Sequence, residues 1–559
     1  MERYLEQYNY WLENVKDEEI RAQLLAMDDK AKEDAFYRDL EFGTAGLRGV
    51  IAAGTNRMNI YIVAKASQGL ANYVVKNFKE EDRKIAVSYD SRIKSDVFAK
   101  IAAGTFAANG IKVYIYKELM PVPNLSFATR AYECAAGVMV TASHNPSKYN
   151  GYKVYGPDGC QCTTEAANAV LKEIESLDTF KDVKTMDFEE GLAKGCIEYI
   201  SDDVYTDFIE AVKTQSLIGD DEIDKNVAIV YTPLNGTGLK PVTRILKETG
   251  YTNITVVKEQ EYPDGNFPTC PYPNPEIKQA MSLGMEYAAK CNADLLLATD
   301  PDADRVGMAI KNKEGEYQLI SGNQAGILLL DYICSRRIAL NRMPKDPVLV
   351  KSIVTTDLAD RIAASYGVRT INVLTGFKFI GEQILLLEKA GKKDSFIFGF
   401  EESYGYLAGT HARDKDAVVA SFLICEMFAY YKTRGISLLD KLNEIYAKFG
   451  YSMNTLYSNE LEGSQGFKKM QDIMAKFSKG VDQIGGKKVV EFLDYNKGIN
   501  GLPKSNVLKF MLEDNCVVVV RPSGTEPKLK YYVTVSAKDE AEAKEVEKKI
   551  AADLNTYLA

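Results

Sequence analysis

Histidine is nearly absent from this chain of 559 residues. His144 and His411 are the only two, too few for a histidine-rich metal centre. The nine cysteines, Cys134, Cys160, Cys162, Cys196, Cys270, Cys291, Cys334, Cys425 and Cys516, are an odd number. They lack the paired spacing of a zinc site and the density of a disulfide scaffold, so most are expected to be reduced and buried. Basic charge is not in excess: 69 Lys and Arg stand against 78 Asp and Glu, a formal charge of −9. That balance gives no reason to expect nucleic acid or an anionic membrane as a partner. Long apolar runs are missing too. The stretch around 325–330 is too short to cross a bilayer, and Met1 to Tyr8 has no apolar signal core, which makes the cytoplasm the expected address. The Gly-x-Ser-x-Gly elbow of serine hydrolases is also absent, which argues against acyl transfer.

What is present is ordinary globular composition, 46% hydrophobic and 26% charged, with 34 Tyr and 22 Phe for packing. At about 150 residues per domain the length points to three or four domains. The segment to about Asp39 has helical spacing and predicts amphipathic helices. Apolar runs at Ile85–Tyr89, Lys112–Tyr116 and Ala136–Thr141 predict strands that end in polar turns, with a helix through Phe98–Ala103. The pattern restarts at Val227–Tyr231 and Asp294–Ala298, and again at Val348–Val354 and Ser395–Phe398. From about Asn454 it gives way to strands, glycine and charged helices, closing on a helix over Glu540–Lys549. The expected architecture is three related mixed-sheet α/β domains, 1–205, 206–320 and 321–453, and a smaller C-terminal α+β domain, 454–559, around a central cleft. Ligands of such sheets bind beyond the C-terminal strand ends.

Chemistry-bearing residues gather at those ends. Thr141-Ala-Ser-His-Asn-Pro146 offers a serine hydroxyl, although Ser, Asn and Pro equally suit a capped turn. Asp300-Pro-Asp-Ala-Asp-Arg305 places three carboxylates at alternate positions. In an extended loop they converge on one hard cation and leave positions for water or phosphate, as Mg2+ prefers, while a solvated acidic turn is the plainer alternative. Arg521-Pro-Ser-Gly-Thr-Glu-Pro527 supplies a guanidinium, hydroxyls and a close-approach glycine, either as an anion nest or as a plain loop. Arg48 and Arg92 add positive charge, or serve as surface salt-bridge partners. Lys378, Glu401 and Ser403 suit the orientation of a sugar, or are ordinary loop polarity.

Taken in order, these motifs resemble those of the alpha-D-phosphohexomutase superfamily over nearly the whole chain. The resemblance implies that Ser143 carries a phosphoryl group and joins Asp300, Asp302 and Asp304 around Mg2+. It implies acid–base or charge roles for His144, Lys153 and Arg48, and substrate contacts for Arg305, Lys378, Glu401, Ser403 and Arg92. Arg521, Ser523, Gly524 and Thr525 become the grip on the non-reacting phosphate. Two departures are Phe400, where the sugar loop usually has glycine, and Tyr404. The implied reaction interconverts glucose 1-phosphate and glucose 6-phosphate through phosphoserine, with glucose 1,6-bisphosphate as intermediate and activator. Mannose or pentose phosphates are alternative substrates, and a non-catalytic sugar-phosphate sensor is the alternative of another class. Small phosphorylated sugars are the expected partners of a monomer or weak homodimer, with no nucleic acid and no membrane.

Overall fold

A computed structural model describes residues 3–43, 46–461, 463–499, 501–522 and 528–558. The expected N-terminal helices form at Arg3–Asn14, Glu18–Leu25 and Asp29–Phe36. Their shared anchor is Trp11, 1% exposed, whose ring meets Phe36, Tyr61 and Phe180 edge-on.

Four sheets follow in chain order. In the first, Ala136–Val140, Lys84–Tyr89, Lys112–Ile115 and Ile197–Tyr199 run parallel. Tyr149–Tyr155 returns antiparallel beside Ala136–Val140, and Leu47–Val50 pairs beyond it. In the second sheet Leu295–Thr299 and Ile254–Val256 flank Ile229–Thr232 in parallel, and Val306–Lys311 returns antiparallel beside Leu295–Thr299. In the third, Val348–Ser352 lies parallel to Arg369–Val373 and Phe396–Glu401, with Gly405–Leu407 returning antiparallel. Every residue of Ala136–Val140, Leu295–Thr299 and Phe396–Glu401 is buried, which is why these strands read as unbroken apolar runs rather than as alternations. The fourth sheet is wholly antiparallel, from Tyr451–Glu460 to Gln483–Ile484.

The three mixed sheets thus share one device: a buried parallel strand, a short loop and an antiparallel return. The serine, aspartate and sugar loops occupy this same topological position, and each bends through a non-glycine residue in the left-handed region: Ser143 (φ 51°), Ala303 (φ 47°) and Tyr404 (φ 65°). One continuous apolar core joins the second and third sheets, running from Tyr231 and Leu297 through Leu329 to Phe398 and Phe422. The first and fourth sheets have cores of their own. Residues 205 and 453 fall inside the helix Asp202–Lys213 and the strand Tyr451–Glu460. Because a packed element is not a linker, we propose that the first and third divisions lie just before these two elements.

Candidate active site

Ser143 is 3% exposed. Its Oγ donates to Asp300 Oδ2 at 2.8 Å and lies 3.2 Å from His144 Nδ1, while its backbone N donates to Thr141 Oγ1 at 2.8 Å. Burial, helped by Arg305 and Arg48, pushes His144 well below the usual imidazole range, so the ring is neutral at pH 7. Arg92 Nη1 donates to the Pro146 and Tyr149 carbonyls at 3.0 Å, and Nη2 donates to those of Ser143 and Asn145. With Nε 3.4 Å from Asp90, this guanidinium is committed to holding the serine loop. Arg48 Nη1 donates to Asn145 Oδ1 at 3.3 Å from the strand next to Lys153's own.

The aspartate loop converges, though not by the extended alternation expected of it. The Ala303 N–H bonds the Asp300 carbonyl at 2.9 Å and closes a tight turn. Asp300 Oδ1 then accepts the Asp304 and Arg305 N–H groups at 3.1 and 3.0 Å. One oxygen from each of Asp300, Asp302 and Asp304 falls within 4.8 Å of the others. The three carboxylates are at most 1% exposed, and Asp302 Oδ1 and Asp304 Oδ1 have no hydrogen-bond partner. Buried carboxylates gathered this closely, with oxygens left unpartnered, are what a hard divalent cation satisfies, so the donor set fits. Burial, with the charges of Asp302 and Asp304, pushes Asp300 well above the carboxylate range. Burial acts on Asp302 in the same sense but is outweighed by Lys153, which holds that group well below it.

Lys153 Nζ lies 2.8 Å from Asp302 and 3.5 Å from Asp304. Burial opposes its charge, but the two carboxylates outweigh that and keep the ammonium protonated. Lys415, absent from the sequence reading, joins it at Asp304 Oδ2, 3.1 Å from both Asp304 and Asp414. Its only signal was the charged run Arg413-Asp-Lys-Asp416 ahead of a buried helix, Ala417–Thr433. Arg305 also has an unforeseen partner: Nη1 is paired with Glu276, and Nε lies 3.7 Å from Asp304.

In the sugar loop, Glu401 Oε1 accepts the Gly376 N–H at 2.7 Å, beside the helix Phe377–Lys389 that starts next to Lys378. Ser403 lies in the turn between Phe396–Glu401 and Gly405–Leu407. Phe400 faces the other way. It is fully buried, stacked on Phe398 and Tyr406, with its ring so close to Gly326 that a Cβ there would lie 2.1 Å from it. The departure at Phe400 is therefore absorbed by the core and leaves the loop free. Glu402 Oε2 accepts from Ser352 Oγ at 3.2 Å and Thr355 Oγ1 at 3.1 Å. Burial and the neighbouring Glu401 push it up to about 7.

Arg521 is the penultimate residue of the strand Val517–Pro522, opposite Lys530, and its charge acts on Tyr532, whose ring sits in the apolar seam between the third and fourth sheets. Ser523, Gly524 and Thr525 lie outside the described residues.

Comparison with known proteins matches this arrangement along the chain. Four family models cover it in order: phosphoglucomutase/phosphomannomutase alpha/beta/alpha domain I over residues 39–181, domain II over 203–315, domain III over 321–449, and the C-terminal domain over 461–553. A phosphoglucomutase of Staphylococcus saprophyticus is 36% identical over 545 residues, covering 95% of this chain and 96% of its own. One from Staphylococcus aureus strain USA300 is 37% identical over 542 residues, covering 94% and 95%. Among solved structures, a phosphoglucomutase of Paramecium (parafusin, open form) superposes with a TM-score of 0.69 at 18% identity, covering 93% of this chain and 95% of that one. A phosphoglucomutase/phosphomannomutase family protein of Burkholderia thailandensis gives 0.66 at 18%, covering 91% and 96%. With four family models matched in order and relatives above one-third identity along nearly its whole length, the chain belongs to the phosphoglucomutase/phosphomannomutase family.

Proposed function

We propose that this phosphohexomutase interconverts glucose 1-phosphate and glucose 6-phosphate, with Ser143 as the phosphoryl carrier. The observation that carries the assignment is the 2.8 Å contact of Ser143 Oγ with Asp300, at the edge of a buried carboxylate trio. In the first half-reaction phosphoserine gives its group to the free hydroxyl of the hexose monophosphate. The glucose 1,6-bisphosphate so formed reorients, and its other phosphate returns to Ser143. Asp300, Asp302 and Asp304 would hold Mg2+, which when bound neutralises charge on the transferring oxygens. Lys153, kept protonated, balances the same charge and has a proton to give, with Arg48 beside it. Arg305, Lys378, Glu401 and Ser403 orient the sugar, and Arg521 with Ser523, Gly524 and Thr525 grips the distant phosphate. Arg92, committed to the loop carbonyls, acts by fixing Ser143. One chain supplies all four loops, so a cytoplasmic monomer suffices.

Glucose is favoured over mannose or a pentose because the curated relatives at 36–37% identity are phosphoglucomutases. The test is turnover of glucose 1-phosphate with Mg2+ and a trace of glucose 1,6-bisphosphate, beside mannose and ribose phosphates. A higher kcat/KM on either alternative overturns the glucose assignment. No turnover on any member leaves the sensor reading.

A further inference from the structure

The strand Tyr149–Tyr155 sends two side chains, Lys153 and Tyr155, to the same face. Lys153 reaches Asp302 and Asp304 of the second unit. The Tyr155 hydroxyl donates to Asp414 Oδ2 of the third unit at 2.9 Å. Asp414 Oδ1 accepts from the Lys415 backbone N at 2.8 Å and from Lys415 Nζ at 3.1 Å, and the same Nζ lies 3.1 Å from Asp304 Oδ2. The contacts close a ring through three units around the aspartate loop, and no member of it is more than 8% exposed.

Two arginines of the site are already paired. Arg92 is neutralised by Asp90, and Arg305 by Glu276. Against the aspartate trio itself stand the ammonium groups of Lys153 and Lys415, the second of them paired with Asp414. The two ammonium groups oppose a cation held by the aspartate trio, and Asp414 offsets the one on Lys415. Buried charge is costly unless compensated, so every member of the ring bears on how firmly that cation is held. Asp414 bonds Tyr155 and Lys415 rather than the aspartate trio, so it acts on the site through Lys415.

We propose that Asp414, anchored by Tyr155, is a positioning residue of the metal centre: it steadies Lys415 against Asp304 and offsets the positive charge that Lys415 brings beside the metal site. The inference rests on the divalent-cation reading of the aspartate loop. It makes Asp414 and Lys415 act on metal affinity with opposite signs, which a merely structural contact would not do. Removing Asp414's charge disfavours the cation, and removing that of Lys415 favours it.

The test is Mn2+ titration of the full-length chain, followed by the electron paramagnetic resonance signal of free Mn2+, with circular dichroism to confirm folding. Wild type is expected to bind one Mn2+ per chain. Asp414→Asn should weaken binding about 10- to 100-fold, because it removes the negative charge that offsets Lys415 near the cation. Lys415→Met should tighten it, and the double variant should return most of the way to wild type. Should Asp414→Asn not fold, the Lys415→Met arm decides by its sign. Unchanged affinity in folded Asp414→Asn, or weaker binding in Lys415→Met, overturns the proposal while leaving the metal site standing. A wild type that binds no Mn2+ overturns the metal reading and the proposal with it.

Discussion

Ser143 Oγ donates a hydrogen bond to Asp300 Oδ2 at 2.8 Å across 157 residues of sequence. The contact joins the loop after one buried strand of the first sheet to the equivalent loop of the second, so the carrier hydroxyl meets the carboxylate trio only when the two units are docked. Val122 N–H, donating to the Asp302 carbonyl at 3.0 Å, fixes the same docking from the backbone.

A phosphoryl carrier must be charged before substrate arrives. Intact-mass analysis of the purified protein should therefore find a fraction heavier by one phosphoryl group, about 80 Da, located on Ser143. Ser143→Ala should lose both the added mass and the bisphosphate-dependent turnover. Normal turnover in that variant would remove Ser143 from the mechanism.

The loops were legible in the sequence for a physical reason. Strands such as Leu295–Thr299, buried along their whole length, cannot alternate, so each shows as an apolar run whose end marks a ligand-facing loop. What was illegible arises in tertiary space. Arg413-Asp-Lys-Asp416 reads as a solvated charged run, yet all four residues are at most 9% exposed, because Asp304, Tyr155, Glu388 and His411 come to meet them from elsewhere in the chain or from the same loop. The three aspartates converge as their spacing suggests, but the turn that gathers them depends on Ala303 adopting a left-handed backbone, which composition does not announce. Arg92 likewise looked like a substrate ligand because no local feature revealed that four loop carbonyls would occupy it.

Glu402 gives a pH-dependent stability with a definite sign. Its carboxyl is pushed from 4.5 up to about 7 by burial and by Glu401, so between those values the folded protein binds a proton that the unfolded chain does not. The stability this confers is complete below about 4.5 and is lost as pH rises through about 7. Glu402→Gln keeps an acceptor for Ser352 and Thr355 without titrating. The melting temperature of the variant minus that of wild type should therefore grow from pH 5 to about pH 7 and level off above it. A difference that is flat, or that falls, would mean Glu402 is ionised throughout that range.

Arg521 is the residue through which the fourth unit is expected to reach substrate. It is the penultimate residue of the strand Val517–Pro522, and its charge and that of Glu402 both act on Tyr532, so the guanidinium sits where the antiparallel sheet meets the sugar loop. In both half-reactions one phosphate reacts near Ser143 while the other is held at a distance unchanged. Contacts to an unreacting group stabilise ground and transition states alike, and their loss raises KM more than it lowers kcat. A charge-assisted hydrogen bond of roughly 1.5–3 kcal/mol corresponds to a loss of about ten- to hundredfold in kcat/KM for Arg521→Ala. Arg521→Lys should recover only part of this, because an ammonium keeps the charge but not the planar fork. If the grip also drives closure of the fourth unit over the cleft, kcat falls as well, since an open site admits water to the phosphoserine. Steady-state kinetics of the three proteins on glucose 1-phosphate at fixed bisphosphate, with circular dichroism to confirm folding, separate the two effects. A folded Arg521→Ala with wild-type KM and kcat/KM would mean that Arg521 serves Tyr532 and the seam between the sheets, and that the distant phosphate is held elsewhere.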